Sequence, residues 1–353
     1  MRTMSLTESG ITHKKTDEML VASINFRGIF QDIPPKLEKL SQECKEYICG
    51  PPITIYDYGV YSEGGIDIEV CFPVTQNIET EEIKTRMLES AEVLSLIHYG
   101  PYENLRESYQ KLYGYFREHG ITATNLGREI YLEFNPENPE ENVTELQAVL
   151  HKWDDRFVKN VERVLGAEAR DNVMENKNLF TLESSKDERA TWIKAAMEQL
   201  DARADDYQKY DILSRCAHDF SQKRIANLRS IYEKTGDVDE VLKAMHEDPA
   251  WYEDPIRKGN IIYVEKVPYN QKGYQEAKTE AEKKRNYCHC PLVREYLDEI
   301  PSTFCYCGSG WYRQQWEGIL QKPVKIEMVK SLLKGDDTCE FAIHLPKEVV
   351  TNG

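Results

Sequence analysis

The sequence lacks any long apolar run, and its charge is far from balanced. No stretch of about 18 consecutive apolar residues occurs, so no membrane-spanning helix is predicted. The sequence has 45 basic and 61 acidic side chains. The resulting formal charge of −16 argues against a nucleic-acid-binding surface over most of the molecule. The N-terminus is polar, without the apolar stretch of a secretory signal. We therefore expect a cytoplasmic protein that binds neither membranes nor nucleic acids, and no nucleotide cofactor.

The length of 353 residues predicts two compact domains of α+β class. Residues 1–18 read as a polar tail, and residues 19–150 as a first domain in which the order β-α-β-β occurs twice. Residues 151–186 read as a helical or irregular connector. Residues 187–350 form a second domain, helix-rich at first and cysteine-rich later. The sequence makes no prediction of oligomeric state.

Alternation and helical spacing place the main elements. In the first domain, strands are expected at MLVASINFRG, ITIYDYG, IDIEVCFPV, VLSLIHYG, REIYLEF and TELQAVL, and a helix at ENLRESYQKLYGYFREHG should end at Gly120. In the second domain we expect a short helix at LVREYLDE, a longer one around SGWYRQQWEGIL, and a hairpin turned at KGDD.

Three segments of the first domain, GGIDIEVCFPV, HYGPYENLRESYQKLYGYFREHG and REIYLEFNP, occur in a characteristic order and spacing. They resemble the GyrI-like domain, the effector-binding module also found at the C-terminus of many AraC- and MerR-type regulators. The resemblance implies two pseudo-symmetric, SH2-like β-α-β-β halves around a ligand cleft. It also implies that Glu129, with Tyr131, faces the cleft and meets cationic or polar aromatic ligands.

Strand alternation supports this placement independently. On REIYLEF, Glu129 and Tyr131 share one face, and on IDIEVCF the aliphatic residues oppose Glu69. We expect the aliphatic faces to pack under the helices and the carboxylate and tyrosine faces to point to solvent or into a cleft. A carboxylate among aromatic rings suits a cation. Further candidates for the cleft walls are Tyr56, Tyr58 and Tyr99. The alternative is the wet face of an antiparallel sheet.

Some stand-alone members of the GyrI-like family are hydrolases that open strained cyclopropane rings with a cleft Glu and an aromatic partner. By that resemblance Glu129 would be a catalytic residue that activates water as a general base. The chain differs from the regulators because no DNA-binding domain fits before Met19.

The nine cysteines are unevenly distributed. A C-H-C pair and a C-Y-C pair are followed by one more cysteine, so five candidate metal ligands fall in the last 70 residues: Cys288, Cys290, Cys305, Cys307 and Cys339. In a reducing compartment such clustering favours a metal, and tetrahedral zinc needs four ligands of this kind. A reactive or redox pair and simple packing of buried thiols are the alternatives.

The segment from Phe304 to Pro346 contains a Cys, a Gly-containing helix, a P-V-x-x-E strand and G-D-x-x-C-x-F. It resembles the C-terminal half of the 4-vinyl reductase-type domain and is similar to amino-thiazoline-carboxylate hydrolase-like families. The resemblance implies metal ligands at Cys305 or Cys307, Glu327 and Cys339. The family's further Cys after the Glu is absent, so Cys288 or Cys290 would substitute.

The leading hypothesis is a small-molecule-binding protein that senses or sequesters a cationic or aromatic compound. The alternatives are a hydrolase, acting through Glu129 or through water on the second-domain metal, and an interaction adaptor with a structural zinc.

Overall fold

The computed structural model describes residues 10–62, 65–248, 251 and 253–350. The chain divides into two compact units, and the division lies between His151 and Lys152, except that residues His119–Ile121 group with the C-terminal unit. The α+β class is confirmed. None of the helices in the part of the chain that the structure describes is long and apolar enough to cross a bilayer.

The N-terminal unit is one antiparallel sheet with two helices. Its elements are β1 (Ile11–Lys15), β2 (Met19–Gly28), α1 (Ile33–Cys44), β3 (Ile53–Ser62), β4 (Gly65–Pro73), β5 (Lys84–Leu88), β6 (Glu92–Tyr99), α2 (Leu105–His119), β7 (Ala123–Glu133) and β8 (Val143–Leu150). The strand order is β1-β6-β8-β7-β3-β4-β2-β5. The predicted repeat of β-α-β-β is therefore present as β2-α1-β3-β4 and β6-α2-β7-β8. Gly120 follows α2 with a positive φ, as expected for a helix end.

Two short strands, β1 and β5, occupy the edges of the sheet. They are not predicted by the sequence analysis. β1 falls in the stretch read as a polar tail, of which residues 1–9 lie outside the described chain. Each edge strand precedes one repeat but pairs with the other: β1 with β6, and β5 with β2. Their polar sequences, ITHKK and KTRML, carry little alternation, so periodicity alone could not identify them.

The sheet is buried on both faces, which differs from the expectation for β7. On the helix side, the aliphatic residues of β4 pack against Leu40 and Cys44 of α1, as predicted. On β7, however, Ile130 belongs to a separate cluster on the opposite face, together with Ile55 and Cys71. Glu129 therefore points to the helix side of the sheet. The physical reason is that both faces carry apolar clusters, so the aliphatic face of a central strand does not identify the helix side.

The C-terminal unit is mainly helical with a small antiparallel sheet. It contains α3 (Trp153–Leu165), α4 (Ala167–Val173), α5 (Lys186–Asp201), α6 (Asp206–Leu213), α7 (Gln222–Thr235), α8 (Val238–Glu247), β9 (Ile256–Lys258), β10 (Ile261–Glu265), α9 (Gln271–Glu276), α10 (Glu280–Tyr287), α11 (Tyr306–Leu320), β11 (Lys325–Lys330), β12 (Glu340–His344) and α12 (Lys347–Val350). The sheet order is β11-β12-β10-β9. The predicted hairpin is β11 and β12.

The region read as a connector, residues 151–186, contributes to the core of this unit. Trp153, Phe157 and Val161 are spaced four apart on α3 and are all buried in its largest apolar cluster. Conversely, the short helix expected at LVREYLDE is not formed. Residues 291–300 make a series of turns after Pro291.

The long helix α11 begins three residues earlier than expected, so that it includes Cys307. The C-Y-C pair therefore lies at the start of a helix. Gly310 explains the close packing of this helix, because a Cβ there would lie 1.8 Å from the carbonyl oxygen of Ser214.

Candidate functional site

Glu129 is a buried carboxylate surrounded by tyrosine hydroxyls. It lies on the central strand β7 and is 4% exposed. The hydroxyl of Tyr56 donates to its Oε2 at 2.7 Å, and the hydroxyl of Tyr109, from α2, donates to its Oε1 at 2.7 Å. The hydroxyl of Tyr131 lies 2.9 Å from Oε2 and 3.0 Å from Oγ1 of Thr54. Both carboxylate oxygens therefore have phenol donors.

These residues occupy positions that are related by the pseudo-twofold symmetry of the two repeats. The central strands β3 and β7 pair antiparallel, with Thr54 directly opposite Glu129. The two strands carry Thr-Ile-Tyr at 54–56 and Glu-Ile-Tyr at 129–131, so Thr54 and Glu129 are equivalent positions. Tyr56 and Tyr131 are equivalent in the same alignment, and their hydroxyls reach the same oxygen. One carboxylate thus lies at the centre of a nearly symmetric pair of tyrosines.

A second ring of aromatic side chains repeats this symmetry. Phe30 and Tyr102 each begin the short 3-10 turn that precedes the helix of their repeat. The ring of Phe30 meets Tyr56 edge-on at 5.8 Å and 65°, and the ring of Tyr102 meets Tyr131 at 5.8 Å and 62°. Phe134, which is 63% exposed, stacks on Tyr102 at 6.3 Å. We call Phe30, Tyr56, Tyr102, Tyr109, Glu129, Tyr131 and Phe134 the Glu129 cage.

The electrostatics of the cage leave the carboxylate without a cation. Among the residues that the structure describes, no Lys, Arg or His forms an ion pair with Glu129. Burial, followed by the charge of Glu129, raises the pKa of Tyr56 and that of Tyr131 well above the usual value. Both phenols therefore keep their protons and remain donors at neutral pH. Hydrogen bonds of this type stabilise a buried carboxylate but leave its charge uncompensated.

The structure brings together three of the residues predicted for the cleft: Glu129, Tyr131 and Tyr56. Two others lie elsewhere. Glu69 lies on the opposite face of the sheet, where Arg86 holds both of its oxygens at 2.7 and 2.5 Å. Tyr99 is 72% exposed, and alternation places it on that same opposite face.

Tyr58 belongs to β3, but its side chain lies outside the described part of the chain.

Sequence reasoning missed four members of the cage: Phe30, Tyr102, Tyr109 and Phe134. The helix ENLRESYQKLYGYF carries Tyr109 and Tyr113, whose rings stack at 6.2 Å. Such a concentration of tyrosines on a helix that faces a carboxylate strand was the available signal. Phe30 and Tyr102 are recognisable only once the two repeats are superimposed, because each occupies a turn without periodicity.

The cysteines of the C-terminal unit lie around shared apolar surroundings. Cys288, Cys290, Cys307 and Cys339 contact one apolar cluster, and Cys305 and Cys339 contact the other. Burial is the main cause that raises the pKa of each of these thiols. It raises the pKa of Cys288 and Cys290 to about 12 and that of Cys307 to about 11. The nearby backbone amides of Leu292 and Val293 lower the pKa of Cys290, yet burial outweighs them.

The structure does not bring Glu327 to these cysteines. Glu327 lies on an exposed face of β11 and accepts from His344 Nε2 at 3.0 Å. Within the described ranges, no group of three or more His, Cys, Asp or Glu side chains could hold a metal ion as placed. The arrangement therefore does not fit the ligand set taken from the resemblance. Zinc stays a prediction of the sequence alone.

Comparison with family models gives two matches. Residues 11–149 match the GyrI-like small molecule binding domain, and residues 153–350 match a family of unknown function, DUF6144. The GyrI-like prediction is confirmed, with its start at β1 rather than Met19. Nothing supports the 4-vinyl reductase-type resemblance of the C-terminal segment. No curated protein matches the chain.

Solved structures resemble about two fifths of the chain. An EcmrR–DNA complex is 26% identical, with a TM-score of 0.36 over 40% of this chain and 57% of that one. The EcmrR C-terminal domain is 24% identical, with a TM-score of 0.36 over 42% and 98%. SAV2435 bound to tetraphenylphosphonium is 11% identical, with a TM-score of 0.30 over 42% and 94%. The chain thus spans little more than half of the first of these proteins.

Proposed function

The chain belongs to the family of unknown function DUF6144 and carries a GyrI-like small-molecule-binding domain at residues 11–149, and from this premise we propose that it binds a lipophilic organic cation in the Glu129 cage. The observation that carries the proposal is a buried carboxylate with hydroxyl donors on both oxygens and no cationic partner among the described residues. A cationic ligand would compensate the charge that the described side chains leave uncompensated.

The aromatic residues specify the rest of the ligand. Rings at the site offer their faces to a cation and their area to apolar groups. Since Phe30 with Tyr56 and Tyr102 with Tyr131 form two similar walls on either side of Glu129, the geometry favours a charge at the centre of the ligand and an aromatic arm toward each wall. A cation with its charge at one end would fill only one wall while it reaches the carboxylate.

Glu129 is less suited to the hydrolase alternative. A general base needs a free lone pair directed at a water molecule. Here three phenols already donate to the two oxygens and Glu129 is 4% exposed, so at most one of the four lone-pair positions of the carboxylate is left for a water. We therefore propose binding, for sensing or sequestration, rather than turnover.

A pair of isosteric ions tests the proposal. Tetraphenylphosphonium and tetraphenylborate have the same shape and nearly the same size but opposite charge, so hydrophobic burial is matched between them. We expect calorimetric titration of the full chain to show saturable one-site binding of the cation and at least tenfold weaker binding of the anion. Equal binding of both ions would show that the site selects apolar shape and not charge. Binding of neither would contradict the proposed site for ligands of this size.

A further inference from the structure

Arg128, the residue before Glu129, lies in a different environment on the other side of the sheet. Arg128 alternates to the face opposite the cage. Directly across the neighbouring strands from it lie Gln147 on β8, then Ser95 on β6, then Thr12 on β1. Consecutive strands are about 4.8 Å apart, so these polar side chains form a continuous row roughly 14 Å long. We call it the Arg128 row.

The row is buried but makes none of the bonds that buried polar groups normally make. Arg128 is 6% exposed, Gln147 4% and Ser95 5%. Among the residues that the structure describes, none of these side chains forms a hydrogen bond or an ion pair. The Nε of Arg128 is completely buried without a partner. A buried guanidinium left in this state costs several kcal/mol, so it calls for a partner group that the described residues do not supply.

Three acidic side chains on this face already lie beside cations of their own. Arg86 holds Glu69 through two hydrogen bonds, and Lys14 Nζ lies 2.6 Å from Oε1 of Glu145. A third acid, Asp67, lies 3.7 Å from Arg27. Arg128 pairs with none of these three acids. Burial, the largest influence on it, lowers its pKa, but an arginine in a protein stays protonated at neutral pH.

We infer that the Arg128 row binds an anion, an oxyanion or the carboxylate or phosphate group of a small molecule, at a second site separate from the Glu129 cage. The planar guanidinium presents paired N–H donors to two oxygens of such a group. The Gln147 amide and the Ser95 hydroxyl add donors in line with it. Because Arg128 and Glu129 are adjacent on one strand, the domain presents a cation to one face of its sheet and an anion to the other.

Inorganic phosphate and acetate are the probes, added to the full chain at constant ionic strength with chloride as the balancing anion. We expect at least one of them to bind saturably in calorimetry and to raise the urea midpoint of the N-terminal unit. Arg128→Met should weaken that binding by about ten- to a hundredfold, the range for hydrogen bonds to a charged group. Glu129→Gln should leave it unchanged, which separates this site from the cage.

The stability of the anion-free protein gives the second readout. Arg128→Met removes the uncompensated buried charge and keeps an unbranched apolar chain similar to the aliphatic part of arginine. The variant should therefore be at least as stable as the wild type when phosphate and acetate are absent. Arg86→Met is the matched control: it should destabilise the protein, because Glu69 loses its partner, but keep the anion response. If Arg128→Met fails to fold, Gln147→Leu should still weaken binding. Failure of both anions to bind the wild type, or an unchanged response in Arg128→Met, would overturn the inference.

Discussion

The Glu129 cage and the C-terminal cysteines Cys288, Cys290, Cys305, Cys307 and Cys339 both include buried ionisable groups, but the groups have different surroundings. Glu129 accepts from phenols on both oxygens, so its carboxylate is stabilised as an anion inside the domain. The thiols of the C-terminal unit lie among apolar side chains, and burial raises the pKa of Cys288 and Cys290 to about 12. Hydrogen-bond donors around a buried group therefore indicate a ligand site. Clustering of cysteines in the sequence indicates only that the residues are close together along the chain.

If this contrast is correct, the clustered thiols should react very slowly. A pKa of about 12 instead of the reference 9.0 lowers the thiolate fraction of Cys288 and Cys290 about a thousandfold. We expect Ellman's reagent at pH 8 to modify the exposed Cys49 rapidly and the C-terminal cysteines only when urea unfolds the protein.

Metal analysis of the same reduced preparation completes this test. About one zinc per chain, released as these thiols react with Ellman's reagent, would support the zinc prediction and show that the C-terminal cysteines are present as thiolates. Rapid modification of several C-terminal cysteines in folded, metal-free protein would contradict the packing account.

Removing one phenol of the cage should destabilise the N-terminal unit. Tyr56 is 1% exposed and donates to a charged acceptor, so Tyr56→Phe should lower the free energy of unfolding by about 1.5–3 kcal/mol. Urea unfolding followed by far-UV circular dichroism measures it. Tyr99→Phe, at a 72% exposed position in the same sheet, is the control and should change stability by less than about 0.5 kcal/mol. Equal effects would mean that the hydroxyl of Tyr56 contributes no particular stability.

How much of this was predictable differs between the two units. Met19–Gly28 and the other strongly alternating strands followed from period-two patterns, and the Glu129 and Tyr131 pair followed from alternation with the resemblance. The face on which Glu129 lies did not follow, because Ile130 is buried as well and both faces are apolar. Tyr109 reaches Glu129 from a helix 20 residues away, and strand alternation cannot predict such a contact.

In the C-terminal unit, the sequence suggested a site more strongly than the structure does. Glu327 fitted a ligand pattern, but the register of β11 directs it to His344 and away from the cysteines. Two local sequence signals do mark helix starts in this unit. The Thr279 and Glu282 pair forms a capping box that starts α10, and Ser185 with Glu188 does the same for α5.

Acid should affect the C-terminal unit through two part-buried histidines, His218 and His289. Burial is the main cause that lowers the pKa of His218 and His289 to about 4. A histidine with a folded pKa below its reference value of 6.5 contributes stability above pH 6.5, and that contribution is lost as the pH falls toward 4. The effect of one histidine should be on the order of 1–2 kcal/mol after allowance for its partial exposure.

Tryptophan fluorescence isolates this effect, because all five tryptophans lie at or after Trp153. His289→Gln keeps a donor for the carbonyl of Val267, which the ring contacts at 2.7 Å, but does not titrate. We expect its urea midpoint to fall less than that of the wild type between pH 6.5 and pH 4. Parallel curves would show that His289 is not buried as a neutral ring.

The most direct test of the central claim compares Glu129→Gln with Glu133→Gln in the full chain, with tetraphenylphosphonium as the ligand. Both changes remove one negative charge from β7, but Glu133 is exposed at its end and lies outside the cage. Loss of a buried ion contact of about 1.5–3 kcal/mol should weaken binding ten- to a hundredfold in Glu129→Gln and leave it unchanged in Glu133→Gln. Wild-type affinity in a folded Glu129→Gln variant would contradict the claim that this carboxylate is the cation site.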